Sequence, residues 1–454
     1  MKIEPIQFDE QSPKYLQIYH SLKEGVQAGR FEQGERLPAI RAYAKQLGIH
    51  VSTVVHAYQM LETAGYARSK RGSGYYVCVP EKQEKPQINY YAVEKGMIDF
   101  ANASPNPEVF PTESFKECID AVLERDRGAA FGCMDSNGYL PLRESIASIC
   151  GFQEKKENII MISGSQQGID VAAKCLLYPG DYVMTEQPTY SGARAVFESR
   201  GARCVPVSME EDGIELIELE KKVRLYKPKL LYLMTRFQNP TAVSYSKEKL
   251  EGILRLAQQY GFYVLEDDSM GELSYTDTDR PRVHSMKSLD KMGHVIYLRS
   301  FSKLLMPGMR IAFMAVPPLV LEGMTQAKYH TDITSSGLLQ RSLDLYIRSG
   351  KWEEHKNYMK QIYRGKYEYM LSCLQAIGSV SYTPPGGGLY IWVRVRMDAE
   401  KLSMWCREHG LLVLPSTAFD ERSVQAVRLS FAYPDIGEIN KGMERFKKGL
   451  EEIK

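Results

Sequence analysis

The feature that most constrains the fold of this chain is a regular alternation of short apolar runs with longer helix-like stretches after about residue 98. The apolar runs are β-prone, as in I-I-M-I-S and L-L-Y-L-M-T, and helix-like stretches such as G-I-D-V-A-A-K-C-L-L follow them. Strands that alternate with helices indicate a mostly parallel sheet with helices on its faces. We therefore predict an α/β domain over residues 98–454, with ligands bound at the carboxyl ends of its strands.

The composition excludes several classes of protein. Hydrophobic residues make up 44% of the 454 positions, which is too apolar for a disordered chain, and no Gly-X-Y repeat is present. The N-terminus lacks the apolar core of a secretory signal, and the apolar run 311–321 is too short to span a bilayer. The cysteines and histidines show no metal-ligand spacing. We expect a cytoplasmic protein with no metal site and no membrane segment.

Residues 1–80 have a different pattern and form a candidate first domain. Three helix-like stretches are predicted, over 15–28, 37–47 and 52–64. Gly48 separates the last two, and two short helices joined by a glycine-containing turn are typical of a helix-turn-helix. Two β-prone runs then flank a basic turn, which predicts a hairpin that would form a wing. The polar, turn-rich stretch 81–97 is predicted to be a linker.

The distribution of charge sets this first region apart. The whole chain has a formal net charge of +2, which by itself argues against a nucleic-acid-binding protein. Residues 36–80, however, hold six Lys+Arg against one Asp+Glu, a local charge of +5. A basic region of this kind favours DNA binding. The alternative is a generic three-helix unit with a solvated basic loop.

The first region also resembles a known family. The winged helix-turn-helix of the GntR transcription regulators is similar to the run L-P-A-I-R-A-Y-A-K-Q-L-G-I-H-V-S-T-V-V-H-A-Y-Q-M-L-E-T-A-G-Y and to the later R-G-S-G-Y-Y-V. The resemblance implies that double-stranded operator DNA is contacted by Arg41, Ser52, Thr53, Lys70, Arg71 and Gly72. Val51 and His56 depart from the family pattern, which indicates fewer ionic contacts or a different base preference.

In the larger region, the most informative motif follows the strand-like run V-I-Y-L and reads S-F-S-K-L-L-M-P-G-M-R. Lys303 at the end of a strand is a candidate for an imine bond, provided that burial or a nearby cation lowers its pKa. Ser300 and Arg310 are candidates for holding a phosphate beside it. Taken alone, the motif fits an ordinary surface lysine better.

Four further clusters outweigh that reading because of their order and spacing. Each also has a structural interpretation, as a helix cap, a turn asparagine, a structural acid or a core tyrosine. A helix that begins directly after a strand favours an anion at its free amides. The candidates are Ser165, Gln166 and Gln167 for a phosphate, Asn239 at a strand end, Asp267 for a pyridinium nitrogen, and Tyr190 for stacking on a flat ring.

Together these residues resemble the fold-type-I aminotransferases that use pyridoxal 5′-phosphate (PLP), over about residues 98–454. The resemblance implies a smaller C-terminal subdomain, an internal aldimine on Lys303 and protonation of the pyridine nitrogen by Asp267. It implies that Asn239 supports the ring hydroxyl oxygen and that Tyr190 stacks on the ring. It also implies that the phosphate is bound by Ser165, Gln166, Ser300 and Arg310. The run V-R-L-S-F-A makes Arg428 the candidate clamp for a substrate carboxylate.

Two features of the sequence depart from the family pattern. Many members carry a tyrosine two or three residues after the aspartate, where Ser269 and Met270 stand here, and Ala242 replaces a common glycine. Loss of a hydrogen bond to the ring oxygen would alter the cofactor's ionisation. We therefore expect cofactor binding to survive and efficient transamination to suffer.

A GntR-type reader ahead of an aminotransferase-like domain is the layout of the MocR subfamily of bacterial regulators. The resemblance implies a homodimeric transcription regulator that senses an amino acid or amine effector through aldimine exchange at Lys303. The alternative is an active α-amino acid aminotransferase with an accessory DNA-binding domain.

Overall fold

The structure is a computed structural model, and it describes residues 8, 13–27, 30–63, 65–70, 73–78, 96–275, 284–419 and 424–453. The chain divides into two compact units, Met1–Asn89 and Tyr90–Lys454. The division falls inside the predicted linker, most of which lies outside the described residues. The predicted DNA contacts Arg71 and Gly72 also lie outside them.

The first unit contains three helices and one hairpin. They are α1 (Lys14–Gln27), α2 (Ile40–Leu47), α3 (Val51–Thr63), β1 (Ala67–Lys70) and β2 (Gly74–Val77). The strands pair antiparallel, as the basic turn between two β-prone runs predicts. Gly48 ends α2 in the left-handed conformation (φ 65°), and its amide bonds back to the last turn, so the chain can turn sharply into α3.

The three helices share one apolar core. Val54, Ala57, Tyr58 and Leu61 of α3 are fully buried against residues of α1 and α2. The Tyr58 hydroxyl donates to the Pro38 carbonyl at 3.0 Å. The prediction that Pro38 lies in the first turn of the second helix is wrong, because the backbone is still extended at the next residue and α2 begins two residues later.

The second unit is built of helices and strands in alternation, as the sequence predicts. Its helices are α4 (Thr112–Asp126), α5 (Leu140–Ile149), α6 (Ser165–Leu176), α7 (Ser191–Ser199), α8 (Leu216–Tyr226), α9 (Lys247–Tyr260), α10 (Met286–Leu289), α11 (Pro318–Asp332), α12 (Gly337–Arg348), α13 (Lys351–Ile377), α14 (Ala399–Glu408) and α15 (Ile436–Glu452). Its strands are β3 (Ile98–Asp99), β4 (Ile159–Ile162), β5 (Tyr182–Gln187), β6 (Arg203–Glu210), β7 (Gly213–Ile214), β8 (Leu230–Leu233), β9 (Tyr263–Asp267), β10 (Val295–Ser300), β11 (Ala312–Ala315), β12 (Ser381–Tyr382), β13 (Tyr390–Arg394), β14 (Leu411–Leu412), β15 (Leu414–Pro415) and β16 (Ala426–Ser430).

Eight strands form the central sheet in the order β4-β11-β10-β9-β8-β5-β6-β7. The neighbours from β10 to β6 are parallel, whereas β11 runs antiparallel to both of its neighbours. Strands β4 and β8 are buried along their whole length, since helices cover both faces of the sheet. The predicted α/β fold with a mostly parallel sheet is confirmed.

A smaller antiparallel sheet follows near the C-terminus, in the order β12-β13-β16-β15. Strand β3 pairs in parallel with β14 beside it, so the start of the second unit is fixed to this C-terminal part. The predicted smaller C-terminal subdomain is therefore present, and β16 carries Arg428.

Within the described residues, no helix is both long and apolar enough to cross a lipid bilayer.

Candidate functional site

The predicted site residues of the second unit gather at one edge of the central sheet. Strands β4, β5, β8, β9 and β10 run in the same direction, so the segments that follow their carboxyl ends lie side by side. These segments begin with the residues that the sequence singles out. Taken along the chain, from β4 to β10, these strand ends carry Ser165, Tyr190, Asn239, Asp267 and Lys303. Arg310 precedes β11, whose antiparallel direction places its first residue at the same edge.

Three consecutive acids lie at the end of β9, the last two residues of the strand and the residue that follows it, and the structure separates their environments. Glu266 accepts the first two backbone amides of α10, at 2.6 and 2.8 Å. Asp268 pairs with the Arg236 guanidinium and accepts the Tyr297 hydroxyl at 2.5 Å. Both are thus engaged in structural contacts. Asp267, between them, points to the opposite face because side chains alternate along a strand.

Asp267 is buried and accepts two hydroxyl hydrogen bonds. The Tyr232 hydroxyl donates to its Oδ2 at 3.0 Å, and the Ser269 hydroxyl donates to its Oδ1 at 2.6 Å. The register of β8 and β9 pairs Tyr232 with Leu265, which puts Tyr232 and Asp267 on the same face. Burial raises the pKa of Asp267, while both hydroxyls and the Lys303 ammonium oppose that rise.

Lys303 lies three residues beyond the end of β10, and α13 fixes its backbone. The Tyr363 hydroxyl donates to the Lys303 carbonyl at 3.1 Å, and His355 Nε2 contacts the next carbonyl, that of Leu304, at 2.7 Å. Desolvation lowers the pKa of the Lys303 amine to about 8, and the Arg428 charge adds to this effect while Asp267 opposes it. The fold therefore brings Lys303, Asp267 and Arg428 within electrostatic reach of one another.

Arg428 joins the small sheet to two other parts of the site. Its Nη1 donates to Asn239 Oδ1 at 2.8 Å, and its Nη2 donates to the Ala101 carbonyl. The guanidinium lies over the rings of Tyr390 and Phe419, with its Cζ 4.9 and 5.2 Å from their centroids. A planar cation held against aromatic rings keeps its orientation and its charge, as a carboxylate clamp requires.

The residues predicted to bind a phosphate, together called the phosphate cup, are Ser165, Gln166, Gln167, Ser300 and Arg310. The cup is centred on the N-terminus of α6. Arg310 Nη2 donates to the Ser163 carbonyl at 2.9 Å, which places its guanidinium beside Ser165, the first residue of the helix. Ser300 and Ser302 form a pair of hydroxyls 2.9 Å apart at the end of β10. Hydroxyls, a guanidinium and the first amides of a helix are a donor set that suits a phosphate.

Tyr190 and Gln166 contact each other across the gap between α6 and α7. The Tyr190 hydroxyl donates to Gln166 Oε1 at 3.1 Å, and Gln166 Nε2 donates to the Gly192 carbonyl at 3.0 Å. A Cβ on Gly192 would lie 2.4 Å from the Tyr190 hydroxyl oxygen, so this glycine leaves room for the ring. The tyrosine is thereby fixed to the helix that forms the cup.

Gln167 differs from the other predicted cup residues. Its Oε1 accepts the Ser163 amide at 2.6 Å, and its Nε2 donates to Asp332 Oδ2 at 2.8 Å. Its own backbone amide bonds to the Gly164 carbonyl at 3.1 Å. These contacts use its polar atoms to shape the turn before α6, which leaves Ser165 and Gln166 as the first residues of the cup.

In the first unit, the predicted DNA contacts lie in the opening turns of α2 and α3 and at the end of β1. Arg41, Ser52 and Lys70 are exposed, and Thr53 is half-buried. The Ser52 hydroxyl lies 2.7 Å from His50 Nδ1, so His50 helps to cap the start of α3. The DNA roles of these residues stay predictions.

Sequence reasoning missed two residues of the site. Tyr232 stands within an otherwise apolar strand, and a buried tyrosine hydroxyl needs a partner, so it could have been suspected. Glu186 is the next-to-last residue of β5, four residues before Tyr190, and is fully buried. Nothing in the sequence shows what these two side chains contact, because their partners lie on other strands and loops.

Family models match both units. The model of aminotransferase class I and II matches residues 103–446, and the model of the bacterial regulatory proteins of the gntR family matches residues 14–77. An HTH-type transcriptional regulator of Bacillus subtilis, YdfD, is 28% identical over 476 residues, which cover 97% of each chain.

Aminotransferases are also similar to the second unit. The 2-aminoadipate transaminase of Thermus thermophilus is 31% identical over 362 residues, which cover 78% of this chain and 90% of that protein. The crystal structure of LysN, an α-aminoadipate aminotransferase of Thermus thermophilus complexed with N-(5′-phosphopyridoxyl)-L-leucine, superposes with a TM-score of 0.73 at 32% identity. That match covers 79% of this chain and 93% of the other.

Proposed function

Because the chain belongs to the class I and II aminotransferase family and carries a GntR-type DNA-binding domain ahead of it, in the MocR-like arrangement, we propose that it is a transcription regulator that senses an amino acid or amine through PLP at Lys303. The observation that carries the proposal is the presence, in one chain, of a GntR-type unit and of a site where Lys303, Asp267, Arg428 and Arg310 come together at one edge of an aminotransferase-type sheet.

Proteins of this family depend on PLP, and the side chains of the site suit it. The phosphate would be held by Ser165, Gln166 and Arg310 at the start of α6 and by Ser300 at the end of β10. The space at Gly164 also supports this arrangement of the phosphate site, because a Cβ there would lie 2.2 Å from Arg310 Nη2. The cup therefore needs a glycine at this position to admit the arginine. Asp267 would face the pyridine nitrogen, and Tyr190 and Asn239 would contact the ring.

Replacing Gly164 by alanine is expected to weaken PLP binding by about tenfold or more, since the new methyl group would displace Arg310 from the cup. Gly164 also has φ +104°, which strains any other residue. Gly180→Ala is the matched control, because Gly180 has φ +95° but a Cβ there would meet no other atom within 4 Å. Equilibrium dialysis with PLP would measure both variants. Equal loss of affinity in the two would show that strain, and not Arg310, is responsible.

When bound, the cofactor supplies an aldehyde carbon that one amine can leave and another can join. The chain's part is to present an uncharged Lys303 amine to it. Burial and Arg428 disfavour the charged form of Lys303 and lower its pKa to about 8, so the uncharged amine accumulates as the pH rises through that value. At pH 7 about a tenth of the amine is uncharged, against about one in three thousand for an ordinary lysine.

The rate of PLP attachment to the cofactor-free protein should therefore rise about tenfold per pH unit below pH 8 and level off above it. Stopped-flow absorbance would record this profile. A rate that keeps rising to pH 10 would contradict the desolvated environment of Lys303.

Arg428 is proposed to bind the carboxylate of an amino acid effector. Arg428→Lys is expected to raise the apparent Kd for an amino acid by about 10- to 100-fold, because lysine cannot form the two-pronged contact. The Kd for the amine that lacks the carboxyl group should change by about twofold at most. Titration of the cofactor's visible absorbance would measure both, with the exposed Arg394→Lys as control. Equal losses for acid and amine would contradict the clamp.

The output of the proposed sensor is operator binding. Recognition helices place their first residues against base edges, and neighbouring cations neutralise phosphates. We propose a homodimer, whose two DNA-binding units would favour paired half-sites. An effector that binds one arrangement of the dimer more tightly than another would change the affinity for DNA. The change is limited by the difference between the effector's binding free energies for the two arrangements. The protein would then act in the cytoplasm, where bacterial DNA is located.

The proposal is tested by measuring binding of the purified protein to the DNA upstream of its own gene. We expect salt-sensitive, sequence-selective binding whose affinity changes by about 5- to 150-fold with the amino acid that shifts the visible spectrum. Binding equal to that of scrambled DNA would refute a regulator. If the binding is sequence-selective but no amino acid or amine changes its affinity, effector sensing would be refuted and the role as a DNA-binding regulator would remain.

An active aminotransferase is the second candidate, favoured by the similarity to the 2-aminoadipate transaminase of Thermus thermophilus. It predicts that a keto acid accumulates over many turnovers when an amino acid and an acceptor keto acid are supplied. A spectral shift without accumulating product would favour the regulator.

A further inference from the structure

Glu186 is a buried carboxylate whose contacts lead to both sides of the candidate cofactor site. It is the next-to-last residue of strand β5, just before the loop to Tyr190, and it has no exposed surface. Each of its oxygens has a separate group of partners. Oε1 accepts the Met234 backbone amide at 3.1 Å and the Tyr245 hydroxyl at 2.8 Å, which fixes it to the end of β8.

The other oxygen reaches the two loops that carry the candidate ring contacts. Glu186 Oε2 accepts the Gln238 side-chain amide at 3.1 Å and the Thr189 hydroxyl at 3.4 Å. Thr189 is the residue immediately before Tyr190, and Gln238 is the residue immediately before Asn239. A single oxygen atom is therefore in contact with both loops.

Gln238 strengthens this connection because all of its amide is engaged. Its Nε2 also donates to the Pro188 carbonyl at 2.8 Å, and its Oε1 accepts the Thr241 amide and hydroxyl at 2.9 and 2.6 Å. Gln238 thus bonds its own loop, the preceding loop and Glu186 at once. Neither loop can shift without breaking a buried hydrogen bond, which is costly because the freed group has no water to replace its partner.

The chemistry of the partners specifies a carboxylate. All four groups around Glu186 are donors, so both of its oxygens act as acceptors, as they do in an ionised carboxylate. Burial raises the pKa of Glu186 to about 7, and the four donors act against that rise since each stabilises the ionised form. An amide at this position would direct its own N–H groups at other donors.

We propose that Glu186 is a positioning residue for the cofactor ring, which holds the Tyr190 loop and the Asn239 loop in register with each other. Tyr190 would then face the ring and Asn239 its edge in one fixed arrangement, although Glu186 itself touches neither. The proposal rests on the proposed function only in assuming that PLP occupies this site.

The test is Glu186→Gln in the full-length protein loaded with PLP. The glutamine Oε1 can keep the Met234 and Tyr245 bonds, while its Nε2 opposes the Gln238 amide, so the substitution disturbs the loop side selectively. We expect the induced circular dichroism of the visible cofactor band to fall by at least half, and the Kd for PLP to rise about tenfold. A purely structural role would lower thermal stability but leave the induced circular dichroism unchanged.

Two further variants make the result specific. In E186Q/Q238E the new carboxylate accepts the amide of residue 186 but loses the bond to the Pro188 carbonyl, so the double variant should recover only part of the lost signal. Tyr245→Phe removes a bond on the strand side of the same carboxylate, and we expect its change in PLP affinity to stay within about threefold. If E186Q shows no cooperative unfolding transition and is therefore not folded, Thr189→Val replaces it in the test. This variant removes only the bond from the Tyr190 loop to Glu186, and it should also lower the induced circular dichroism.

The outcomes separate the two proposals. A wild-type protein without a visible band in PLP would refute the cofactor assignment within the proposed function. A wild-type protein that binds PLP, with an E186Q or T189V variant that keeps its circular dichroism and affinity, would overturn the positioning role. Equal losses in E186Q and Y245F would also overturn it, because they would show a general loss of packing.

Discussion

Replacing Lys303 by alanine is expected to remove all covalent attachment of PLP and with it the visible absorbance band of the covalently attached cofactor. The reason is chemical: an alanine methyl group cannot form a bond to the cofactor's aldehyde carbon, and the described neighbours of the site offer Asp267 and Arg428 rather than a second amine. Borohydride treatment followed by mass spectrometry would measure the covalent label, which we expect to be lost completely.

The exposed Lys221→Ala, on α8, is the matched control and should keep the full label. A band and a label that survive in the Lys303 variant would refute the assignment of this lysine. The loss should also remove any response of DNA binding to amino acids while leaving DNA binding itself intact, since the GntR-type unit has its own core.

Replacing Arg41 by alanine is expected to weaken binding to the operator by about 5- to 150-fold, which corresponds to about 1–3 kcal/mol. Arg41 is exposed in the first turn of α2, so truncation removes a cation without opening a cavity in the core. The loss of one cation at the DNA surface should also reduce the salt dependence of binding by about one unit in the log–log slope. Fluorescence anisotropy at several salt concentrations would give both quantities.

Lys447→Ala removes the same charge from the exposed face of α15 and serves as the control. Equal effects of the two substitutions would mean that net charge, and not a contact made by Arg41, governs binding. An unchanged PLP spectrum in both variants would show that the second unit is unaffected.

Much of the candidate site could be predicted because strand ends can be recognised in the sequence. Ser165, Asn239, Asp267 and Lys303 each follow an apolar β-prone run, and parallel strands bring such positions to one edge. The placement of Gln167 was harder to predict. The Gln167 side-chain amide faces the turn before α6 and not the phosphate cup because it donates to Asp332, the last residue of the distant helix α11.

The sequence by itself determined the type of each unit, since hydrophobic periodicity and turn residues are local properties of the chain. The tertiary structure alone showed which side chain of the neighbouring strand fixes the predicted Asp267, because side-chain alternation and the pairing of β8 with β9 place Tyr232 beside it. It also decided that Arg428 meets Asn239, and that Glu186 reaches two loops at once. Most of these contacts join residues far apart in sequence, and burial makes each of them specific, because a buried polar group must find a partner within the fold.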